Sequence, residues 1–296
     1  MKIRKKICKI LVCIPIMIFF GFHELQAFEV PLVVENPRAK KFRGVSRENA
    51  PVMGGVPLPP GQIKRTEELC LKDQYGSTVA VQISPMVRYQ DGSLQWVLLN
   101  FLTNIKAGET LHFRLIKASG TAAVTNPVKV RNDSDSITLS NDILEIKLRR
   151  KGFNGISHLN LYGKEIIQSG GVPGVFMAGK GKFLAGEPVS ARFEYRGLLR
   201  TTLCIKGPYV EFDSGTALDG FGYTLRLTMF ANSPILRAEY LLKNTSVQRG
   251  QNLHIRQAWM DLQIVDANKV NVHGGSLTFR SSVGNGFFHI RHKGAF

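Results

Sequence analysis

Short bursts of apolar–polar alternation run through this chain, and no segment keeps a helical period for three turns. Val79 to Ile83, Leu94 to Leu99, Leu111 to Ile116, Ile143 to Leu148, Ala191 to Arg196, Tyr223 to Phe230 and Ile235 to Leu242 all show it, and Ile137 to Leu139 is a shorter example. A period of two sends successive side chains to opposite faces, so each burst reads as a strand with one buried face. The dipeptides Asp91-Gly92, Asn154-Gly155, Asp219-Gly220 and Asn285-Gly286 lie among these runs and each suits a tight hairpin. So many strands can bury their apolar faces only in barrels or stacked sheets. The fold class expected is all-β.

The first 27 residues follow a different plan. Lys2, Arg4, Lys5, Lys6 and Lys9 precede an uncharged apolar run from Ile10 to Phe22, and a short polar stretch leads to Ala27. This is the layout of a secretory signal peptide. The run is short for a spanning helix, which needs roughly 20 residues. Leu25 is bulky for its place before the cut, so an uncleaved anchor is the other reading. Both readings put the protein outside the cytosol, secreted or in the periplasm or cell envelope, and the membrane is a partner only if the segment stays attached.

Without residues 1–27 the chain keeps 34 basic and 21 acidic residues, a formal +13. An acidic partner is expected. Nucleic acid is not, because an exported β protein without an RNA-binding signature rarely meets it. Only Cys70 and Cys204 remain, both in apolar strand-like runs, and they read as buried free thiols or as a bridge between two halves. The expected boundary falls near 120–135, where Ser119 to Pro127 is small and polar and Arg131 to Ser136 is hydrophilic. That gives domains at 28–125 and 135–296.

Chemistry is thinly signalled. The chain has no GxSxG, HExxH, Walker loop or GxGxxG opening a helix. Gly220-Phe-Gly222 and Gly284-Asn-Gly286 read as hairpin turns. His289 and His292 have metal-like spacing but no carboxylate support, and no metal site is assigned. Glu211, Asp213 and Asp219 surround a glycine-bearing loop, which is either a solvated turn or a weak calcium site; no cofactor is otherwise implied. Tyr209, Arg256 and Trp259 are the candidate carbohydrate-binding residues, since aromatic faces stack on sugars and an Arg fork grips a carboxylate. The alternative for Tyr209 and Trp259 is a place in the core.

One composite pattern stands above this background. Val52-Met-Gly-Gly-Val-Pro-Leu-Pro-Pro-Gly61 is followed by Leu69-Cys-Leu-Lys-Asp73, Gly76, Val79-Ala-Val-Gln82 and Arg88-Tyr-Gln-Asp-Gly-Ser-Leu-Gln-Trp96. Gly55 and Pro57 belong to a stiff turn that launches a strand. Arg88, Asp91, Gly92 and Trp96 belong to a hairpin, where a cation over the indole or an Arg–Asp pin would account for the residue types. As a whole the pattern resembles the N-terminal RIFT barrel of the exo-rhamnogalacturonan lyase-like proteins, with Tyr89 where that pattern usually has Trp. Asp219 to Asn244 is similar to the central β-sandwich of the same family.

The resemblance implies a small RIFT-like β-barrel followed by a β-sandwich. Family members go on into a helical toroid, for which this sequence shows no matching pattern, and an incomplete sandwich is one expectation. They cleave the pectin backbone by β-elimination, and the base and carboxylate-neutralising groups are expected from that toroid, so no catalytic residue transfers to a numbered position. Three readings follow: a binder of acidic, pectin-like polysaccharide that does not cleave it; a lyase completed by a separate helical chain; or a structural envelope protein.

Overall fold

The computed structural model describes residues 28–37, 45–244, 255–265, 277–282 and 285–292. The expected export segment, 1–27, lies outside them. Among the described residues there is no α-helix, only a 3-10 turn at Thr66–Glu68, and no helix long and apolar enough to cross a membrane. The fold is all-β.

Seven strands build the first domain: β1 (Glu29–Glu35), β2 (Arg47–Pro57), β3 (Leu69–Asp73), β4 (Thr78–Val79), β5 (Val81–Arg88), β6 (Leu94–Ile105) and β7 (Thr110–Lys117). They form two antiparallel sheets, ordered β1-β7-β3-β4 and β2-β6-β5. Both sheets send alternate side chains into a shared interior, where Val56, Ile63, Leu69, Leu94, Val97, Leu99 and Leu115 are buried together. Leu71, Phe101 and Phe113 fill the adjoining end, the two rings 4.9 Å apart.

The second domain has thirteen described strands in one hydrogen-bonded sheet. They are β8 (Lys129–Asn132), β9 (Ser136–Ser140), β10 (Leu144–Arg149), β11 (His158–Leu161), β12 (Lys164–Met177), β13 (Gly181–Ala185) and β14 (Ser190–Tyr195), then β15 (Arg200–Glu211), β16 (Ala217–Phe230), β17 (Leu236–Asn244), β18 (Ile255–Val265), β19 (Leu277–Ser282) and β20 (Asn285–His292). The main path runs β17-β16-β15-β13-β12-β11-β10-β9-β8, with β14 added to β15 and β18 to β12. The sheet is folded over its own apolar face: Ile137, Leu139 and Ile146 from one end share a core with Leu203, Leu225 and Leu227 from the other. The sandwich is thus two halves of one continuous sheet.

Turn chemistry departs from expectation in instructive ways. Asp91-Gly92 does close a hairpin, but through three residues. Gly92, at φ +79°, donates to the Tyr89 carbonyl (3.0 Å), and the Tyr89 amide donates to the Ser93 carbonyl (2.9 Å). Asn154-Gly155 is not a hairpin. Gly155 bridges Gly170, and a Cβ there would overlap the backbone of Gly171, so the glycine is needed for close approach. Asp219-Gly220 and Gly222 lie inside β16, and Asn285-Gly286 opens β20. The hydrophilic break at Arg131 to Ser136 is the β8–β9 hairpin, so the second sheet begins at Lys129 rather than 135.

Candidate functional site: a cleft between the two domains

β14, β15, β16 and β17 each carry an alternating set whose apolar members face the core. The opposite set is polar. Registers place Thr202 opposite Thr228, Arg226 opposite Glu239, and Thr228 opposite Arg237, so these side chains share one face. Against that face sit Pro51 and Met53 of β2. Between the two surfaces lies a cleft of about 610 Å³, lined by Glu194, Arg200, Arg226, Arg237 and Glu239 among others.

Its charges are organised. The Arg226 Nε donates to Glu194 Oε2 at 2.8 Å, and Arg237 meets Glu239 at 2.6 Å. The hydrogen bond from Arg226 holds the Glu194 carboxyl below its ordinary range, against a smaller opposing effect of burial. Thr202 and Thr228 share a hydrogen bond of 2.9 Å at the buried base of this face. Cys204, beside Thr202 on the same face and opposite Arg226, is a buried free thiol pushed up by burial and then by Glu194; Cys70 is likewise buried and free.

Arg200 joins the two domains. Its backbone amide donates to Gln82 Oε1 of β5 at 3.0 Å, and its Nη1 donates to Asn100 Oδ1 of β6 at 3.0 Å and to the Met53 sulfur. The guanidinium lies over the Tyr195 ring, 4.5 Å from its centroid. Among the described residues, no carboxylate lies within ion-pair distance of Arg200. Burial presses its pKa down, yet a guanidinium stays charged in proteins.

The residues singled out from sequence lie elsewhere. Tyr209, on β15, is fully buried, stacked on Phe221 at 4.9 Å, and presents no face to a sugar. Trp259, on β18, is 7% exposed and lies against Gly174, where any Cβ would overlap its ring. Arg256 is exposed at the start of β18. β12 and β13 separate Tyr209 from Trp259 in the sheet, so the three do not converge.

At the Glu211 loop, Ser214 donates to the Glu211 carboxylate at 2.5 Å, while Asp213 and Asp219 are exposed. Among the described residues no group of three His, Cys, Asp or Glu is placed to hold a metal ion. His289 and His292 lie on β20, and their side chains fall outside the described ones.

The barrel motif is a latch. Asp91 Oδ1 accepts from both the amide (2.9 Å) and hydroxyl (2.6 Å) of Ser93, bonds that lower its pKa. The Ser93 hydroxyl in turn accepts from Gly61 N (2.9 Å), and the Tyr89 hydroxyl donates to the Leu58 carbonyl (2.9 Å). Arg88 donates to the carbonyls of Lys64 and Gly92 rather than pairing with Trp96 or Asp91. Carbonyls left bare by the turn are the stronger claim on its donors. Trp96 lies over Gly55, and Pro57 is its cross-strand partner. These residues hold the proline-rich turn to the β5–β6 hairpin.

Comparison with protein families fits that role. Residues 42–114 match the PcRGLX-like N-terminal RIFT barrel domain. The match falls on the first domain, and the quoted motifs lie within it. No curated protein matches the chain. Among solved structures, a glycosyl hydrolase family 38 protein from Enterococcus faecalis aligns at 15% identity and a TM-score of 0.42. The alignment covers 80% of this chain and 31% of that one, so this chain spans about a third of that protein's length.

The cleft residues were missed from sequence. Their one signal is that outward positions of two successive strands read Arg226, Thr228 and Arg237, Glu239; the burst pattern marks them as solvent-facing without naming what they face.

Proposed function

We propose that this protein is an exported, non-catalytic binder of acidic, pectin-like polysaccharide, which it grips in the cleft between barrel and second domain. The observation that carries the reading is the set of three arginines in one cleft, two of them held in place by glutamates and Arg200 without an anion. Guanidinium forks suit planar carboxylates, and two pre-positioned forks lose less side-chain freedom on binding than free ones. The carbohydrate class is supported by the barrel's family match and the acidic class by the net charge.

Binding without turnover is favoured by the pairing of Glu194. A general base works best with a pKa near the operating pH, whereas the hydrogen bond from Arg226 moves the Glu194 carboxyl away from it. Incubation of the purified protein with rhamnogalacturonan tests this directly. The polymer is expected to co-sediment with the protein while ultraviolet absorbance from unsaturated product stays flat. A rise that tracks the protein peak would promote the lyase reading.

A further inference from the structure

Of the two tryptophans in the chain, Trp96 is the exposed one, at 40% against 7% for Trp259. Its six-membered ring lies down on the sheet, 3.5 Å from where a Cβ of Gly55 would stand. Among the described residues no second ring, cation or hydrogen-bond acceptor is set against the indole. Its partner on β5, Val87, is exposed as well. A tryptophan placed only for packing would bury its ring; this one leaves a large part of it in water.

The strand registers tie Trp96 to the cleft. Met53 stands opposite Asn100, Gly55 opposite Leu98 and Pro57 opposite Trp96. Cross-strand partners share a face, and so does every second residue along a strand. Pro51, Met53, Gly55, Pro57 and Trp96 therefore stand on one side of the β2-β6-β5 sheet. Pro51 and Met53 line the cleft, and Trp96 continues the same face beyond it. The path from Met53 to Pro57 is about 13 Å along β2. It is longer than one sugar ring, and it crosses Gly55, which raises no side chain in the way.

We propose that Trp96 is a stacking subsite for one pyranose ring of the polysaccharide, met by the chain as it leaves the cleft along β2. This rests on the acidic-polysaccharide reading and adds to it a second contact and a direction. The cleft arginines take carboxylates, and the indole takes the C–H face of a ring further along. The negative face of an indole suits such C–H bonds, and the contact carries no net charge for salt to screen.

The test has two readouts. In the first, affinity for polygalacturonate is measured at low and at physiological salt for the wild-type protein and for Trp96→Leu, Trp96→Phe and Ser93→Ala. Trp96→Leu keeps an apolar side chain and loses the aromatic face; it should weaken binding about three- to tenfold, by the same factor at both salts. Trp96→Phe restores an aromatic face and should recover most of that loss. Ser93→Ala loosens the hairpin latch without touching the ring and should stay within about twofold of wild type. A loss in Ser93→Ala equal to that in Trp96→Leu would assign the effect to hairpin integrity and overturn the subsite. So would a Trp96→Leu loss that disappears at physiological salt. Self-association abolished by Trp96→Leu, with glycan affinity unchanged, would give the ring to a second copy of the chain instead.

In the second, the two indole N–H signals are followed by NMR during titration with a galacturonate oligomer. The Trp96 signal is identified by its loss in Trp96→Leu. The oligomer should move it and leave the Trp259 signal in place. Oligomer binding with an unmoved Trp96 signal would overturn the subsite and leave the acidic-polysaccharide reading standing. Absence of binding to the wild-type protein would overturn both.

Discussion

Gln82 of the barrel accepts the backbone amide of Arg200 in the second domain at 3.0 Å. Gly197, three residues earlier, leaves the space the Gln82 amide occupies, because any Cβ there would overlap it. One side chain from the first domain is thus plugged into the turn that opens β15. Gln82→Ala should lower stability by about 0.5–1.5 kcal/mol, the net worth of one hydrogen bond. Hydrogen exchange at the Arg200 amide should accelerate. Unchanged exchange there would mean that the plug does not hold the junction.

Trp259 and Gly174 make a sharper steric prediction. Gly174→Ala forces a methyl group into the indole and should destabilise the second domain by about 1–3 kcal/mol, as overpacking does. Chemical denaturation checks it. Tyr209→Phe should behave oppositely: its hydroxyl is buried without a partner, so its removal should be neutral or mildly stabilising and should leave glycan binding unchanged.

The Glu194–Arg226 pair sets a pH dependence. Arg226 lowers the folded-state pKa of Glu194, so the pair's contribution is present in full above the unfolded-state value and is lost as pH falls through the lowered folded value. The loss belongs below the usual carboxylate range, and Glu194→Gln should flatten that part of the stability profile. The pair is partly exposed, which keeps the effect small. A wild-type and variant profile that run parallel in acid would contradict it.

The strands were readable because alternation reports burial one residue at a time. The barrel was readable because its motif is local: Asp91 and Gly92 form the hairpin turn, and Gly55 and Pro57, within forty positions of them, close the end of β2 rather than forming the turn expected to launch a strand, since both pair with β6. The cleft was not. Met53, Asn100 and Arg200 are brought together by contacts spanning 100 residues or more, and no local pattern encodes such a meeting. Trp259 misled for the opposite reason: its residue type suggests a sugar platform, whereas Gly174 across the ladder turns it into packing.

The boundary near 120–135 narrows in the same way. The Asn126 side-chain amide donates to Asn232 Oδ1 (2.9 Å), Asn232 N donates to the Asn126 carbonyl (3.0 Å), and Val128 is buried. The stretch from Gly120 to Thr125 is outside any strand and, among the described residues, tied down by one bond, from the Val81 amide to the Thr121 hydroxyl (3.1 Å), whereas 131–135 is exposed but closed as a hairpin. Limited proteolysis should nick 120–125 before 126–135. First cleavage after Arg131 would place the weak point in the β8–β9 hairpin instead.

The central claim is that the interdomain cleft holds acidic polysaccharide. Calorimetric titration with polygalacturonate, of the wild-type protein and of an Arg226→Gln/Arg237→Gln variant shown to be folded, measures it most directly. The account predicts wild-type binding that weakens steeply from low to physiological salt, because exposed charges are screened, and a variant at least about tenfold weaker. Equal affinity in both proteins, or binding indifferent to salt, would contradict it.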